Sequence, residues 1–139
     1  ALLHTIASLG SPAPTNAWIR RHVFPGGYIP SLSDIAPAVE RSGLTLTDVE
    51  VWRWHYALTL QAWQHRFQDV RDEFVALKGE RFCRMWEFYL AAVETSFTDG
   101  DQMVFQLLLS PSRDAVPIRR DFMFEAERSM KRVDRRVDA

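Results

Sequence analysis

A single cysteine, Cys83, excludes an internal disulfide framework and any multi-cysteine zinc site, and it is compatible with a reducing cytosol. No apolar run approaches the roughly 20 residues of a membrane span. The apolar start, Ala1 to Ile6, lacks the basic flank and the length of a signal peptide. Glycine is sparse, 6 residues in 139, and no glycine-rich strand-to-helix loop occurs, so this stretch carries no cradle for a nucleotide or nucleoside cofactor. Charge of one sign is also missing: the formal net charge is −1, which argues against nucleic acid as a partner. There are no internal repeats and no low-complexity segment. What is present, 47% hydrophobic and 25% charged residues, is the composition of one soluble globular domain.

The richest stretch runs from Trp52 to Phe67. Tyr56, Leu60, Trp63 and Phe67 fall at i, i+4, i+7 and i+11 and therefore stack along one helical face. That face is apolar except at Tyr56, whose phenol needs a hydrogen-bond partner if it is buried. Taken alone, Tyr56 reads more simply as a core tyrosine bonded to a carbonyl than as a site residue.

In chain order, Ala1-Leu2-Leu3-His4-Thr5-Ile6 has the apolar, partly β-branched character of a buried strand. No initiating Met precedes it, and we expect the chain to be the C-terminal part of something longer. Two prolines in Ser11–Thr15 predict a loop without regular structure. Asn16 caps a short helix over 17–23, which Phe24-Pro25-Gly26-Gly27 stops in a tight turn leading into Tyr28-Ile29-Pro30. A helix follows to Arg41; Pro37 fits only near its first turn, which favours a start at Ser33 or Asp34. Leu44 to Val51 alternates as a second strand, and the aromatic helix comes next with a charged continuation from Asp69 to Lys78, broken by Gly79. Glu80 opens a long helix with an apolar stripe of Phe82, Met85, Trp86, Tyr89, Leu90, Val93 and Phe97. Gln102 to Leu109 is the third strand, 110–117 a loop, and 119–133 an amphipathic helix. Its end is basic, with Arg128, Lys131, Arg132, Arg135 and Arg136; a solvated terminus is the simpler reading and a surface for anionic headgroups the sharper one.

The order strand, helix, helix, strand, helices, strand cannot close a barrel. It suits the second half of a doubly wound α/β sheet whose remaining strands lie upstream, with helical material inserted before the last strand. Because such a piece would leave a strand edge unpaired, residues 1–139 alone are expected to be aggregation-prone and inactive.

Four segments resemble, in matching order, the C-terminal portion of the cyclopropane-fatty-acyl-phospholipid synthases, a family that includes the mycolic acid cyclopropane synthases. They are Leu2-Leu3-His4-Thr5-Ile6; Trp18-Ile19 through Val23-Phe24-Pro25-Gly26-Gly27-Tyr28-Ile29-Pro30-Ser31-Leu32; His55-Tyr56-Ala57-Leu58-Thr59-Leu60 to Trp63; and Arg81-Phe82 with Arg84-Met85-Trp86-Glu87-Phe88-Tyr89-Leu90. They span Leu2 to about Leu109, and the tail departs from the family's common core. The resemblance implies the C-terminal half of a Rossmann-like class I methyltransferase fold: residues 1–110 belong to an S-adenosylmethionine-dependent domain, with a helical lipid-binding insert at about 54–99, and 111–139 form a tail. It implies transfer of a methyl or methylene group to the cis double bond of a phospholipid acyl chain, with S-adenosyl-L-methionine bound mostly by the upstream half of the same polypeptide. A bound bicarbonate then serves as the base. The resemblance further implies a homo-oligomer working peripherally at the cytoplasmic face of the inner membrane.

Residue by residue, the resemblance places bicarbonate donors at His4, the backbone N–H of Ile6 and the hydroxyl of Tyr56, with His4 and Tyr56 catalytic. An anion in an apolar pocket needs several converging donors, which fits this set. Without the motif, His4 would read as a satisfied core histidine. For the acyl chain, Phe24, Gly26, Gly27 and Tyr28 are candidates for the mouth of a channel, and Trp63, Phe67 and Trp86 for its wall; simple core packing competes evenly for these. His55 and His65 lie on different faces, which argues against a metal site, and Cys83 reads as a small packing residue. Two other functions stay open: a related methyltransferase acting on a small amine, and a non-catalytic lipid-binding module.

Overall fold

A computed structural model describes residues 1–10 and 13–137, and their side chains apart from 13 and 131–137. In chain order the elements are β1 (Leu2–Ser8), β2 (Ala13–Pro14), α1 (Ala17–His22), β3 (Tyr28–Ile29), α2 (Leu32–Ser42), β4 (Thr45–Trp52), α3 (Trp54–Asp69), α4 (Arg71–Lys78), α5 (Glu80–Thr98), β5 (Gln102–Ser110) and α6 (Asp121–Val137). The last long strand enters the sheet between the first two, giving the order β1-β5-β4 with β5 antiparallel to both. Its sequence explains the central place: Met103, Val104, Phe105, Leu107 and Leu109 are all buried, as a strand covered on both faces requires. β4 alternates and takes an edge, where a bulge at Thr47 lets its hydroxyl donate to Leu108 O at 2.9 Å.

Each face of the sheet has its own core. On one side Ala7, Met103, Phe105, Leu107 and Leu109 pack against Ile35 and Val39 of α2. On the other, Val104 and Ile6 meet Ala57, Leu60, Tyr89, Leu90, Val93 and Phe97 of α3 and α5, with Trp18, Ile19 and Val23 at the rim. Alternation along β1 therefore sends His4 and Ile6 to the α3/α5 side and Ala7 to the other.

Four local expectations are corrected. Ala13 and Pro14 are not loop but pair with Ile29 and Tyr28; proline is tolerated there because the bridge is a two-residue edge. α2 starts at Leu32, so Pro37 lies beyond the first turn; the Ser31/Asp34 capping box fixes the start, reinforced by Tyr28 Oη donating to Asp34 Oδ2 at 2.9 Å. The charged segment is a separate helix, α4, because the chain breaks at Val70. Arg71 then ties α4 to α5 through Glu80 and Glu87, each at 2.6 Å. Finally, the aromatic face is not wholly buried: Leu60 and Phe67 are, while Trp63 is 40% exposed and Trp52 belongs to β4. Cys83 is fully buried. After β5, Arg120 clamps the tail to β4 through Asp48 and Glu50, and α6 follows; Lys131, Arg132, Arg135 and Arg136 lie outside the described side chains.

Candidate active site

The main-chain geometry of β1 follows from its register. Ala1 and Leu109 exchange both main-chain bonds, at 2.6 and 2.8 Å. Bonded and non-bonded pairs alternate along an antiparallel ladder, so Leu3, Thr5 and Ala7 bond to β5, whereas the N–H groups of His4 and Ile6 point away from it, to the open edge. Ser8, next on that edge, donates to Pro30 O at 2.9 Å. Among the described residues the Ile6 N–H is thus a donor without a main-chain partner, beside the Tyr28-Ile29-Pro30 segment.

That segment is positioned by α1 and its turn. Asn16 Oδ1 accepts from Trp18 N at 2.8 Å and starts the helix. Gly26, at φ +77°, turns the chain so that Gly27 N donates to Phe24 O at 2.9 Å. Gly27 must be small, since a Cβ there would sit 3.0 Å from Phe24 O.

Between β1, this turn and the α3/α5 pair lies a cavity of about 410 Å³. His4, Ile6 and Tyr56 line it together, and so do Phe24, Gly27 and Tyr28. Gly26 does not line it, although it shapes the turn. Trp63, Phe67 and Trp86 do not line it: Trp63 meets the Tyr56 ring edge-on at 6.1 Å and Trp86 packs on Tyr89 at 5.1 Å, while Phe67 packs away from it on Phe74 at 5.6 Å. His4 and Tyr56 also border a second cavity of about 200 Å³ with Trp52, His55, Thr59 and Val104, so they form the partition between the two.

The lining is largely apolar, and its polar side chains are those of threonine, tyrosine, glutamine and one histidine. No Lys, Arg, Asp or Glu contributes to the larger cavity among the described residues. All three tyrosines of the chain do. Burial pushes the Tyr56 phenol up, and the Tyr89 phenol is pushed up by burial and then by Tyr56. Both therefore carry their protons at neutral pH and present O–H donors. Tyr28 is already committed to Asp34, whose carboxyl is held below the usual range by the Ser31 N–H and the Tyr28 hydroxyl. His4 Nδ1 lies 2.9 Å from Gln106 Nε2 on β5. Thr15 contributes a buried hydroxyl with no protein partner.

Tyr89, Gln106 and Thr15 were not singled out as site residues by the sequence. Gln106 had a signal, as the one polar side chain within Met103 to Leu109. Tyr89 had none, because its place in an apolar stripe looks the same as a core position. No helix among the described residues is long and apolar enough to cross a membrane.

A family model described as mycolic acid cyclopropane synthetase matches residues 1–107. The chain is 41% identical over 97 residues to a tuberculostearic acid methyltransferase of Mycobacterium tuberculosis, covering 68% of this chain and 23% of that protein. It is 34% identical over 109 residues to the cyclopropane-fatty-acyl-phospholipid synthase of Escherichia coli, covering 78% of this chain and 28% of the other. The chain thus spans about a quarter of the length of these curated relatives. A solved mycolic acid cyclopropane synthase, crystallised with S-adenosylhomocysteine and CTAB, superposes with a TM-score of 0.70 at 28% identity over 78% of this chain and 42% of that one. The fold is that of the C-terminal half of a class I S-adenosylmethionine-dependent methyltransferase, with three strands and a helical insertion before the last, as the sequence implied.

Proposed function

The chain belongs to the mycolic acid cyclopropane synthetase family, and we propose that it supplies the lipid and general-base side of a methyl or methylene transfer to the cis double bond of a phospholipid acyl chain. The observation that carries this reading is the uncharged cavity in which His4, Tyr56 and the free N–H edge of Ile6 meet beneath an apolar mouth of Phe24 and Ile29. S-adenosyl-L-methionine supplies the electrophilic methyl group; residues 1–139 offer no glycine-rich cradle for it, so its site is proposed in the upstream half that the longer relatives possess.

Bicarbonate fits the donors that are present. The Ile6 N–H, the Tyr56 hydroxyl and the His4 ring are hydrogen-bonding groups around an apolar space, where a small anion is held by several converging donors. Its chemistry there is that of a base for a proton of the transferred methyl. The residues' task is to hold that base in a site with little competing water, where hydrogen bonds are stronger. Ile19, Phe24 and Val93 provide the dry walls.

The lining also favours this reading over methylation of a small amine held by an ion pair. No carboxylate that could pair with a substrate ammonium lines the cavity among the described residues. Helices α3 to α5, about 54–99, are the proposed lipid-binding insert. Docking at the cytoplasmic face of a membrane draws support from Phe24 and Tyr28, 53% and 57% exposed beside the cavity, with Arg20 and Arg21 at the end of α1. Product analysis of the protein carrying its upstream half, with unsaturated phospholipid and with small amines, tests the reading. Bicarbonate-dependent cyclopropane or methyl-branched lipid is expected; a methylated amine in its place would overturn it.

A further inference from the structure

Tyr89 is 5% exposed, held on α5 with the Phe24 ring edge-on at 5.9 Å and the Trp86 ring at 5.1 Å. Its hydroxyl makes no hydrogen bond among the described residues. Nor is that hydroxyl sealed from solvent, as the unpartnered Thr15 Oγ1 is, and since Tyr89 lines the larger cavity the phenol opens there. A phenylalanine would fill the same space among Leu60, Leu90 and Val93 without burying a polar atom. The unmatched donor therefore faces the cavity, where a ligand acceptor can meet it.

We propose that the Tyr89 hydroxyl is a second phenol donor to the anion contacted by Tyr56, so that the anion sits between two tyrosines projected from α3 and α5. This rests on the bicarbonate reading above and assigns it a further residue. With no cationic side chain in the lining, each added neutral donor offsets part of the cost of holding a negative charge in an apolar space. Burial keeps Tyr89 protonated, so it arrives as a donor. Helix α5 thereby takes part in the site, where its stripe would otherwise only pack.

The test compares Tyr89→Phe with Tyr56→Phe in the protein carrying its upstream half. Binding of [13C]bicarbonate is titrated by NMR, thermal stability is measured without bicarbonate, and the rate is followed against bicarbonate concentration. Tyr89→Phe is expected to weaken bicarbonate binding about tenfold or more, as for loss of a hydrogen bond to a charged group. Its melting temperature should equal or exceed that of the parent, because the ring is kept and no protein bond is lost. If Tyr56→Phe weakens binding and Tyr89→Phe does not, or if Tyr89→Phe raises only the KM for lipid, Tyr89 is a wall of the acyl site and the proposal fails. If neither substitution alters bicarbonate binding, the anion reading itself fails and takes this proposal with it.

Discussion

Gln106 Nε2 lies 2.9 Å from His4 Nδ1 across the β1–β5 ladder, where the two residues are direct register partners. With the amide nitrogen donating, Nδ1 accepts and Nε2 is the ring's N–H donor. In that arrangement a side chain on the central strand sets the tautomer of a cavity residue on the edge strand. Gln106→Leu removes that selection and leaves the strand's apolar character intact. The bicarbonate concentration for half-maximal rate should rise roughly three- to tenfold, the worth of a neutral hydrogen bond; an unchanged dependence would mean that His4 needs no such partner.

Tyr56→Phe keeps the ring that tilts onto Phe97 at 4.8 Å and deletes one donor. Loss of a hydrogen bond to a charged group costs about 1.5 to 3 kcal/mol, or roughly ten- to hundredfold in turnover if it is felt in the transition state. Turnover and bicarbonate dependence should both move while the melting temperature stays. Wild-type turnover would make the phenol a packing group.

Thr15→Val replaces a sealed hydroxyl that has no partner among the described residues with a methyl of similar size. Removing an unpaired buried polar group is expected to leave stability unchanged or to raise it by about 1 kcal/mol. Chemical denaturation measures this, and a clear loss of stability would show that the hydroxyl has a partner after all.

Gly27→Ala puts a Cβ 3.0 Å from Phe24 O and 3.2 Å from Phe24 Cβ, so the turn must open. Overpacking of this kind costs about 1–3 kcal/mol. Because the strain falls on the mouth, the KM for lipid should rise with the bicarbonate dependence unaltered. The opposite split would place the turn at the anion end of the cavity.

Asp34, Asp48, Glu80 and Glu87 all have carboxyls held below the usual range, by Ser31, by Arg120 and, for both glutamates, by Arg71. A depressed folded-state pKa contributes stability above the unfolded value, about 4 for these groups, and that stability is lost as pH falls through the lower folded value. The melting temperature should be flat from about pH 7 to pH 5 and fall below about pH 4. Asp34→Asn should make the acid limb shallower; a limb of unaltered slope would remove Asp34 from the set.

The aromatic spacing of Tyr56, Leu60 and Phe67, the glycine and proline turn at 24–27 and the apolar run of β5 each encode their element locally. Period, caps and turn chemistry act over a few residues, so these were legible along with the fold class. Boundaries set by longer contacts were not: Leu32 begins α2 because Ser31 and Asp34 close a box that Tyr28 braces, and no propensity rule ranks that above Pro37. His4, Ile6 and Tyr56 could be named from their motifs, but their meeting in one cavity depends on β5 slotting between β1 and β4. That order arises because two separate cores, α2 on one face and α3 with α5 on the other, need a strand apolar on both sides between them. Gln106 beside His4, and Tyr89 beside Tyr56, are consequences of that packing between elements distant in the chain. The sequence by itself named His4, Ile6 and Tyr56 as candidates; only the tertiary structure decided which residues share a wall, because proximity across a sheet or between helices is not written in local periodicity.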